Sequence, residues 1–516
     1  MDARSNIHAA GRSVVSLVET GQHGLLVTIE CSLSNNLPNI VIVGYANKAV
    51  DEAKERIRSA FSGSKLSLPR KRITINLAPA DVPKESSGFD LGVATAILAA
   101  TNQIRDPLER TAIMGELGLD GDVRPIRGII GKILVGKRHG IKRFILPAGN
   151  LSQAVLVPGV EIVPVATLAE MYAYLNDPAS IRTVDTNTLP TNTEVTATES
   201  ELELEDVIGQ ELGKRAVEIS AAGGHNLLLG GPPGTGKSML AKVLPGLLPP
   251  LSREEMLEVT HLHSLAGNDF NRIISQRPFR APHHSASNVA IIGGGNTIRP
   301  GEMSLAHRGV LLFDELPEFA RVTVEALRQP LETRTITIAR AKDTAEYPAD
   351  FIFVATANPC PCGHYGTAKP CRCLPHQIVH YRRKLSGPIL DRIDLYVDVH
   401  EIDNSQLLAE RTRDIASTSA RERIATARAL QAARFADSAK LNSGMSNRDI
   451  QAHALLDSAA KQLLDQAAEK FTLSARAYMR SVKVARTIAD LDSSEAIESR
   501  HIAEALQYRP HAYHNP

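Results

Sequence analysis

Apolar positions along this chain fall into short unbroken runs, stripes spaced three and four apart, and one stretch with almost none. In the first third, β-branched runs at 24–30 (GLLVTIE), 40–44 (IVIVG), 72–79 (RITINLAP) and 143–147 (RFILP) read as strands. Between them, 48–61 puts its apolar residues on one helical face, and 89–100 (FDLGVATAILAA) is apolar enough for a buried helix. An α/β domain over 1–180 follows. Residues 181–205 (IRTVDTNTLPTNTEVTATESELELE) are Thr-rich, acidic and without period, the composition of a flexible linker. From 206 to 400 the pattern changes again. Helix-like 211–224 leads to the apolar run NLLLGG, a second helix begins at Lys237, and GVLLFDE (309–315) and DFIFVATAN (350–358) are further buried strands. Strands that are apolar throughout and separated by helices indicate a parallel sheet covered on both faces. From 401 to 516 strand signals vanish, and two long Ala- and Arg-rich helical patterns (419–435 and 474–491) predict a helical domain.

Composition narrows the class. The 516 residues are 43% hydrophobic and 22% charged, as expected of a globular chain of several domains. Lys and Arg (58) nearly balance Asp and Glu (57), so any polyanion must be held by local patches, not by a basic whole. Aromatic residues are 4% of the chain and Trp is absent, which argues against a broad stacking surface for single strands. The N-terminal stretch lacks a signal peptide's apolar core, and no apolar run is long enough to span a bilayer, so a cytoplasmic protein is expected.

The chemistry begins at Gly231-Pro232-Pro233-Gly234-Thr235-Gly236-Lys237-Ser238, a GxxxxGK[ST] loop between a buried strand and a helix. Backbone N–H groups of such a loop wrap phosphates at a helix N-terminus, the Lys reaches the β- and γ-phosphates, and the Ser hydroxyl ligates Mg²⁺. ATP and Mg²⁺ are therefore the expected substrate and cofactor. Asp314 and Glu315 end an apolar strand, where Asp314 would hold the magnesium and Glu315 would activate the attacking water. Asn358, at the end of another strand, would position that water.

The strings RPFRAPHHSAS, IIGGG, RPGEMSLAHRGVLLFDELPEF, ANPCPCG and LSGPILDRIDL resemble the YifB/ComM family of magnesium-chelatase-like AAA+ ATPases. The resemblance implies an AAA+ P-loop core with a C-terminal helical lid, Asn358 as sensor 1, and Arg392 as an arginine finger acting on a neighbouring subunit's ATP. A plain ion pair of Arg392 with Asp391 or Asp394 is the alternative. The resemblance also makes Arg476 the sensor-2 residue, with Arg480 one helical turn on as its rival, and puts Ile208, Gly209 and Gln210 where adenine is held. It implies a homo-oligomeric ring, a hexamer, that translocates on single-stranded, forked or branched DNA and migrates branches as transforming DNA is integrated. A chelatase-type remodeller of a partner protein and a protein unfoldase or regulator are the rival functions.

Four of the five cysteines (Cys360, Cys362, Cys371, Cys373) form two C-x-C pairs in a short polar stretch, a density that suits a structural Zn²⁺ site, with His364, His376 and His380 as nearby substitutes. The N-terminal segments 79–98 and 114–150 resemble the proteolytic domain of Lon proteases, a ribosomal-protein-S5-like fold. Its Ser-Lys dyad would fall on Gly88 and Ile130, which carry no such chemistry, while Ser86, Ser87 and Lys132 leave a shifted dyad as the alternative. DNA is expected at Arg277 and Arg280 in a long Gly-rich loop, and at Arg340 and Lys342 near the tip of the hairpin 334–347. The basic run Lys137 to Arg143 would serve DNA or solvent equally well.

Overall fold

The computed structural model describes residues 13–20, 23–43, 47–79, 87–188, 202–267, 270–295, 298–339, 344–367, 369–385, 387–402 and 416–510. The chain divides into two compact units: Met1–Glu194 with Arg253–Ile274 and Asp343–Ala345, and Val195–Ser252 with Ser275–Lys342 and Glu346–Pro516. The helix Arg253–Ala266 thus joins the first unit although it follows the loop 231–238 in sequence.

The first unit is built on an eight-stranded mixed sheet. Strands β1 (Ser13–Thr20), β2 (His23–Ser34), β3 (Asn39–Val43), β4 (Arg72–Ala78) and β5 (Thr111–Ile113) are joined by a small β6 (Glu116–Leu117)–β7 (Val123–Arg124) pair to β8 (Arg143–Pro147), β9 (Glu161–Val165) and β10 (Val184–Asp185). The sheet order is β10-β9-β8-β5-β1-β2-β4-β3. All the strand runs read from the sequence are present. Helix Asp90–Ala100 is buried along nearly its whole length, as its Ala-, Ile- and Leu-rich sequence requires. The start of the expected linker differs from its composition. Val184 and Asp185 pair antiparallel with Ile162 and Glu161, and Thr186 Oγ1 donates to Val160 O at 2.9 Å. One β-branched residue and a buried hydroxyl suffice to add this short edge strand to a sheet already formed.

The second unit holds a five-stranded sheet of order β12-β15-β18-β11-β19, from β11 (Leu227–Gly230), β12 (Phe279–Arg280), β15 (Val310–Phe313), β18 (Ile352–Ala357) and β19 (Leu395–Asp398). Every pairing within it, among the described residues, is parallel. Between these strands lie two short ribbons, β13 (Gly293–Gly294) with β14 (Arg299–Pro300), and β16 (Thr335–Ala339) with β17 (Thr344–Pro348). Register puts the strand ends level: Gly230 lies beside both Ala357 and Asp398, and Phe313 beside Ala355. The residues that follow those ends are brought to one edge, where ligands of open α/β sheets bind.

Helices Ala416–Phe435, Ser458–Phe471, Ala475–Leu491 and Ser499–Ala505 complete this unit. Their core carries a buried polar cluster. Asp490, with a fully buried side chain, accepts from Arg434 at 2.8 Å, from Arg486 at 3.1 Å and from Asn442 at 2.8 Å. Arg486, itself 1% exposed, also donates to the carbonyls of Ser494 and Glu495. Removing the anion would strand a buried cation, so Asp490→Ala is expected to cost about 3–5 kcal/mol in denaturant unfolding of the full chain. A loss below about 1 kcal/mol would show that this cluster does not hold the helices together.

Candidate functional site

The strand-to-helix loop adopts the backbone that its glycines permit. Gly231, Gly234 and Gly236 have φ of 151°, 81° and 90°. At Gly231 a Cβ would lie 2.2 Å from Val399 O, so only glycine fits there. Lys237 opens the helix Lys237–Leu247, and its ammonium turns back to donate to Gly231 O (2.7 Å), Pro232 O (2.6 Å) and Asn358 Oδ1 (3.3 Å). Burial pushes the Lys237 pKa down, and the Asp314 and Glu315 carboxylates pull it back up. Gln210 ties the preceding segment to this loop, donating to Thr235 O (3.3 Å) and His400 O (2.7 Å). Ile208 and Gly209, beside it in sequence, are half-buried.

The expected acidic pair faces the loop. Ser238 Oγ donates to both oxygens of Asp314, at 3.1 and 3.2 Å. A hydroxyl beside a carboxylate is the hard-oxygen donor set that Mg²⁺ takes, so these two side chains fit the metal. Glu315 has φ of 57°, a left-handed backbone that costs a non-glycine residue about 1–2 kcal/mol. Thr356 holds it there. Its hydroxyl accepts from Glu315 N at 2.8 Å and donates to Asp314 Oδ1 at 2.6 Å. Asn358 Nδ2 donates to Glu315 Oε1 at 3.3 Å, so Asn358 bridges the carboxylate and the loop lysine. Thr356 was not read from the sequence. The available signal was its place two residues before Asn358, near the end of an apolar strand, a spacing that in extended chain puts both side chains on one face.

Beside Gly230 lies a cavity of about 340 Å³ lined by Leu212, Tyr396, Asp398, His400 and Arg509 among others. None of these five was singled out from the sequence. Both strand-end residues and the C-terminal turn contribute, a meeting that no local pattern encodes.

The arginines separate. Arg392 bonds Glu332 and Pro388 O, not Asp391 or Asp394, and its side chain is 10% exposed. Its own carbonyl accepts from Asn226 Nδ2 at 2.9 Å, and Asn226 N donates to Asp394 at 3.1 Å. Burial works against the charge of Asp394, yet His225 and then Arg480 hold its pKa below the usual carboxylate range. His225 Nε2 meets Thr487 Oγ1 at 2.8 Å, joining the Arg392 loop to the helix Ala475–Leu491. On that helix Arg480 donates to Ile393 O at 2.8 Å, whereas Arg476 is exposed and makes no hydrogen bond or ion pair among the described residues.

Two expected DNA contacts are engaged within the protein. Arg277 donates to Arg308 O (2.7 Å) and to Pro249 and Pro250 carbonyls, and Arg280 forms a two-pronged pair with Glu302, with one contact at 2.6 Å. Both guanidinium groups thereby serve the loop's own conformation. Arg340 and Lys342 lie outside the described residues, although the strands that lead to them, β16 and β17, form the expected hairpin. In the first unit, Gly88 O accepts from Gly115 N at 2.9 Å, Ile130 is fully buried, and Lys132 Nζ donates to Arg127 O. Ser86 lies outside the described residues. Of the basic run, Arg143 is bound to Asp106 at 2.7 Å, and Lys137 donates to Pro158 O at 2.6 Å.

The four clustered cysteines meet, with all four sulfurs within 4.8 Å of one another. Three separations are 3.5, 3.6 and 3.7 Å, close to the ~3.8 Å edge of a tetrahedron with Zn–S bonds of about 2.3 Å. They are far from a disulfide bond of about 2.0 Å. Backbone N–H groups of His364 and Arg372 hold the Cys362 pKa down at about 6. Tyr365 N donates to Cys360 Sγ at 3.3 Å. The donor set is complete without His364, His376 or His380.

Comparison with known proteins adds an independent line. Family models described as magnesium chelatase subunit ChlI, subunit ChlI of Mg-chelatase and magnesium chelatase subunit ChlI C-terminal match residues 203–407, 29–150 and 414–509. The chain is 42% identical over 505 residues to competence protein ComM of Haemophilus influenzae, covering 96% of this chain and 97% of that protein. It is 41% identical over 485 residues to protein YifB of Escherichia coli, covering 94% of each. An archaeal Lon protease of Methanocaldococcus jannaschii shares 33% identity over 138 residues, 26% of this chain and 21% of that protease.

Proposed function

Because this chain belongs to the ComM/YifB family of magnesium-chelatase-like AAA+ ATPases, we propose that it couples Mg²⁺-dependent ATP hydrolysis to movement along branched DNA. The convergence of Lys237, Ser238, Asp314, Glu315, Thr356 and Asn358 at one sheet edge carries the ATPase half of this reading. Backbone N–H groups of residues 234–238 and the Lys237 ammonium bind the phosphates, which replace the loop carbonyls as acceptors of the Lys237 hydrogen bonds. Ser238 and Asp314 hold the Mg²⁺, which when bound neutralises charge on the β- and γ-phosphates. Glu315 accepts the proton of the attacking water and Asn358 keeps that carboxylate in line. The cavity beside Gly230 takes the base, and Ile208, Gly209 and Gln210 lie on the segment that Gln210 ties to the carbonyl of His400, one of the lining residues. Arg392 acts on ATP held by the neighbouring subunit once it leaves Glu332, and Arg476, uncommitted among the described residues, serves as sensor 2.

Hydrolysis at subunit interfaces of a hexameric ring moves the β16–β17 hairpins, whose Arg340 and Lys342 grip the phosphate backbone. The DNA half draws on the name of the relative ComM, a competence protein, and on these basic tips. The substrate in this reading is a branched intermediate formed as transforming DNA is integrated. The proposal is tested by measuring ATP turnover and strand movement with forked and four-way DNA, with Glu315→Gln as the inactive control. Stimulation and branch movement are expected. Replacing Arg340 and Lys342 by Ala should abolish both while ATP still binds. A wild-type enzyme that DNA neither stimulates nor engages would overturn the DNA half and favour a chelatase-type remodeller.

A further inference from the structure

Pro233, in the middle of the nucleotide loop, has the cysteine turn packed against it. A Cβ at Gly363 would lie 2.5 Å from Pro233 Cδ and 3.0 Å from its Cγ, and the backbone φ of 81° at Gly363 independently favours glycine. That turn holds Cys360, which is fully buried, and Cys362. It begins two residues after Asn358, whose side chain bonds both Lys237 and Glu315. The cysteine cluster and the nucleotide loop therefore share one contact through Gly363 and one short covalent tether through Asn358.

From this junction we infer that Cys360, Cys362, Cys371 and Cys373 hold a single Zn²⁺, and that the metal sets the shape of the ATP loop. Sulfurs within 4.8 Å of one another surround one ion. Without a cation only hydrogen bonds of the turn, such as Gly363 N to Cys360 O at 2.9 Å and Tyr365 N to Cys360 Sγ at 3.3 Å, hold them. Thiolates repel one another and thiols form only weak hydrogen bonds, so the turn would open. With four short Zn–S bonds the turn is rigid, Gly363 stays seated on Pro233, and Asn358 keeps its place between Lys237 and Glu315. Metal binding therefore stabilises the conformation that receives phosphate, although no cysteine touches the nucleotide. The inference rests on the reading of residues 231–238 as an ATP loop.

The test uses the full chain, purified without chelator. Mass spectrometry should find about one zinc per chain. Zinc is then withdrawn with a thiol-binding mercurial, and later returned after the mercurial is removed with excess thiol. Before, during and after, two quantities are followed: affinity for a fluorescent ATP analogue, and backbone hydrogen exchange of residues 231–238. Withdrawal should weaken affinity about tenfold or more and speed exchange in the loop, and both should recover on zinc return. Gly363→Ala, which keeps all four thiols, should retain its zinc yet weaken nucleotide affinity by a similar factor. A metal content near zero, or iron in place of zinc, would overturn the metal assignment. Zinc-loaded and stripped proteins with the same loop exchange would overturn the coupling. A failure of the ATP reading looks different: zinc-loaded wild-type protein would bind no nucleotide while loop exchange still responded to the metal.

Discussion

Glu315→Gln is expected to bind ATP as tightly as the wild type and to hydrolyse it about 10²- to 10⁴-fold more slowly, the usual contribution of a positioned general base. The substitution is nearly isosteric. Asn358 keeps a hydrogen-bonding partner and Thr356 still accepts the backbone N–H that holds the left-handed turn, so the loss isolates proton acceptance. Lys237→Ala makes the complementary prediction. It removes the charge that meets the phosphates, so nucleotide affinity itself should collapse. Titrating a fluorescent ATP analogue and following phosphate release separates the two variants. Retention of near-normal turnover by Glu315→Gln would mean that the carboxylate at this turn does not activate water.

Arg392→Ala should reduce turnover by about 10³- to 10⁵-fold, the range of an arginine that completes a neighbour's phosphoryl-transfer site. In the proposed trans role the effect crosses a subunit interface, so inactive chains should rescue each other. Arg392→Ala keeps its own ATP loop, and Lys237→Ala keeps its own arginine, so mixing the two should restore turnover at hybrid interfaces. Glu332→Ala discriminates further. If Arg392 matters only for its contact with Glu332 within the chain, removing Glu332 should reproduce the defect. If it acts on a neighbour, Glu332→Ala should remain active. Hybrid rings that assemble but show no recovery would overturn the trans role.

These two predictions draw on residues of different legibility. The loop 231–238 and the pair Asp314-Glu315 are visible in the sequence because phosphate wrapping and strand-end placement require fixed local spacing. Arg392 is visible only through resemblance, and its partner Glu332 is 60 residues away in sequence. Thr356 was missed because its importance lies in joining Asp314 and the Glu315 backbone, both just past the end of a neighbouring strand. Arg277 and Arg280 were legible as basic residues in a long loop, but their charge is spent on carbonyls and on Glu302 that come from elsewhere in the fold. A basic residue's availability is a tertiary property, since folding settles which acceptors surround it.

The same distinction runs through the whole chain. Hydrophobic period, glycine placement and cysteine spacing are local, and they determined from the sequence alone an α/β first region, a buried parallel-strand core, a helical C-terminal region, the glycine-shaped strand-to-helix loop 231–238 and a four-thiol cluster. Those features arise from forces acting over a few residues: steric limits on φ, side-chain alternation and the short reach of a C-x-C pair. Tertiary structure decided the rest. Strand order brought Thr356 to Asp314, the segment Arg253–Ile274 went to the first unit although it follows Ser252 directly, and the close approach of Gly363 to Pro233 joined the cysteine turn to the loop 231–238. Each depends on which surfaces can bury one another without a clash, a condition set only when distant segments share the same space.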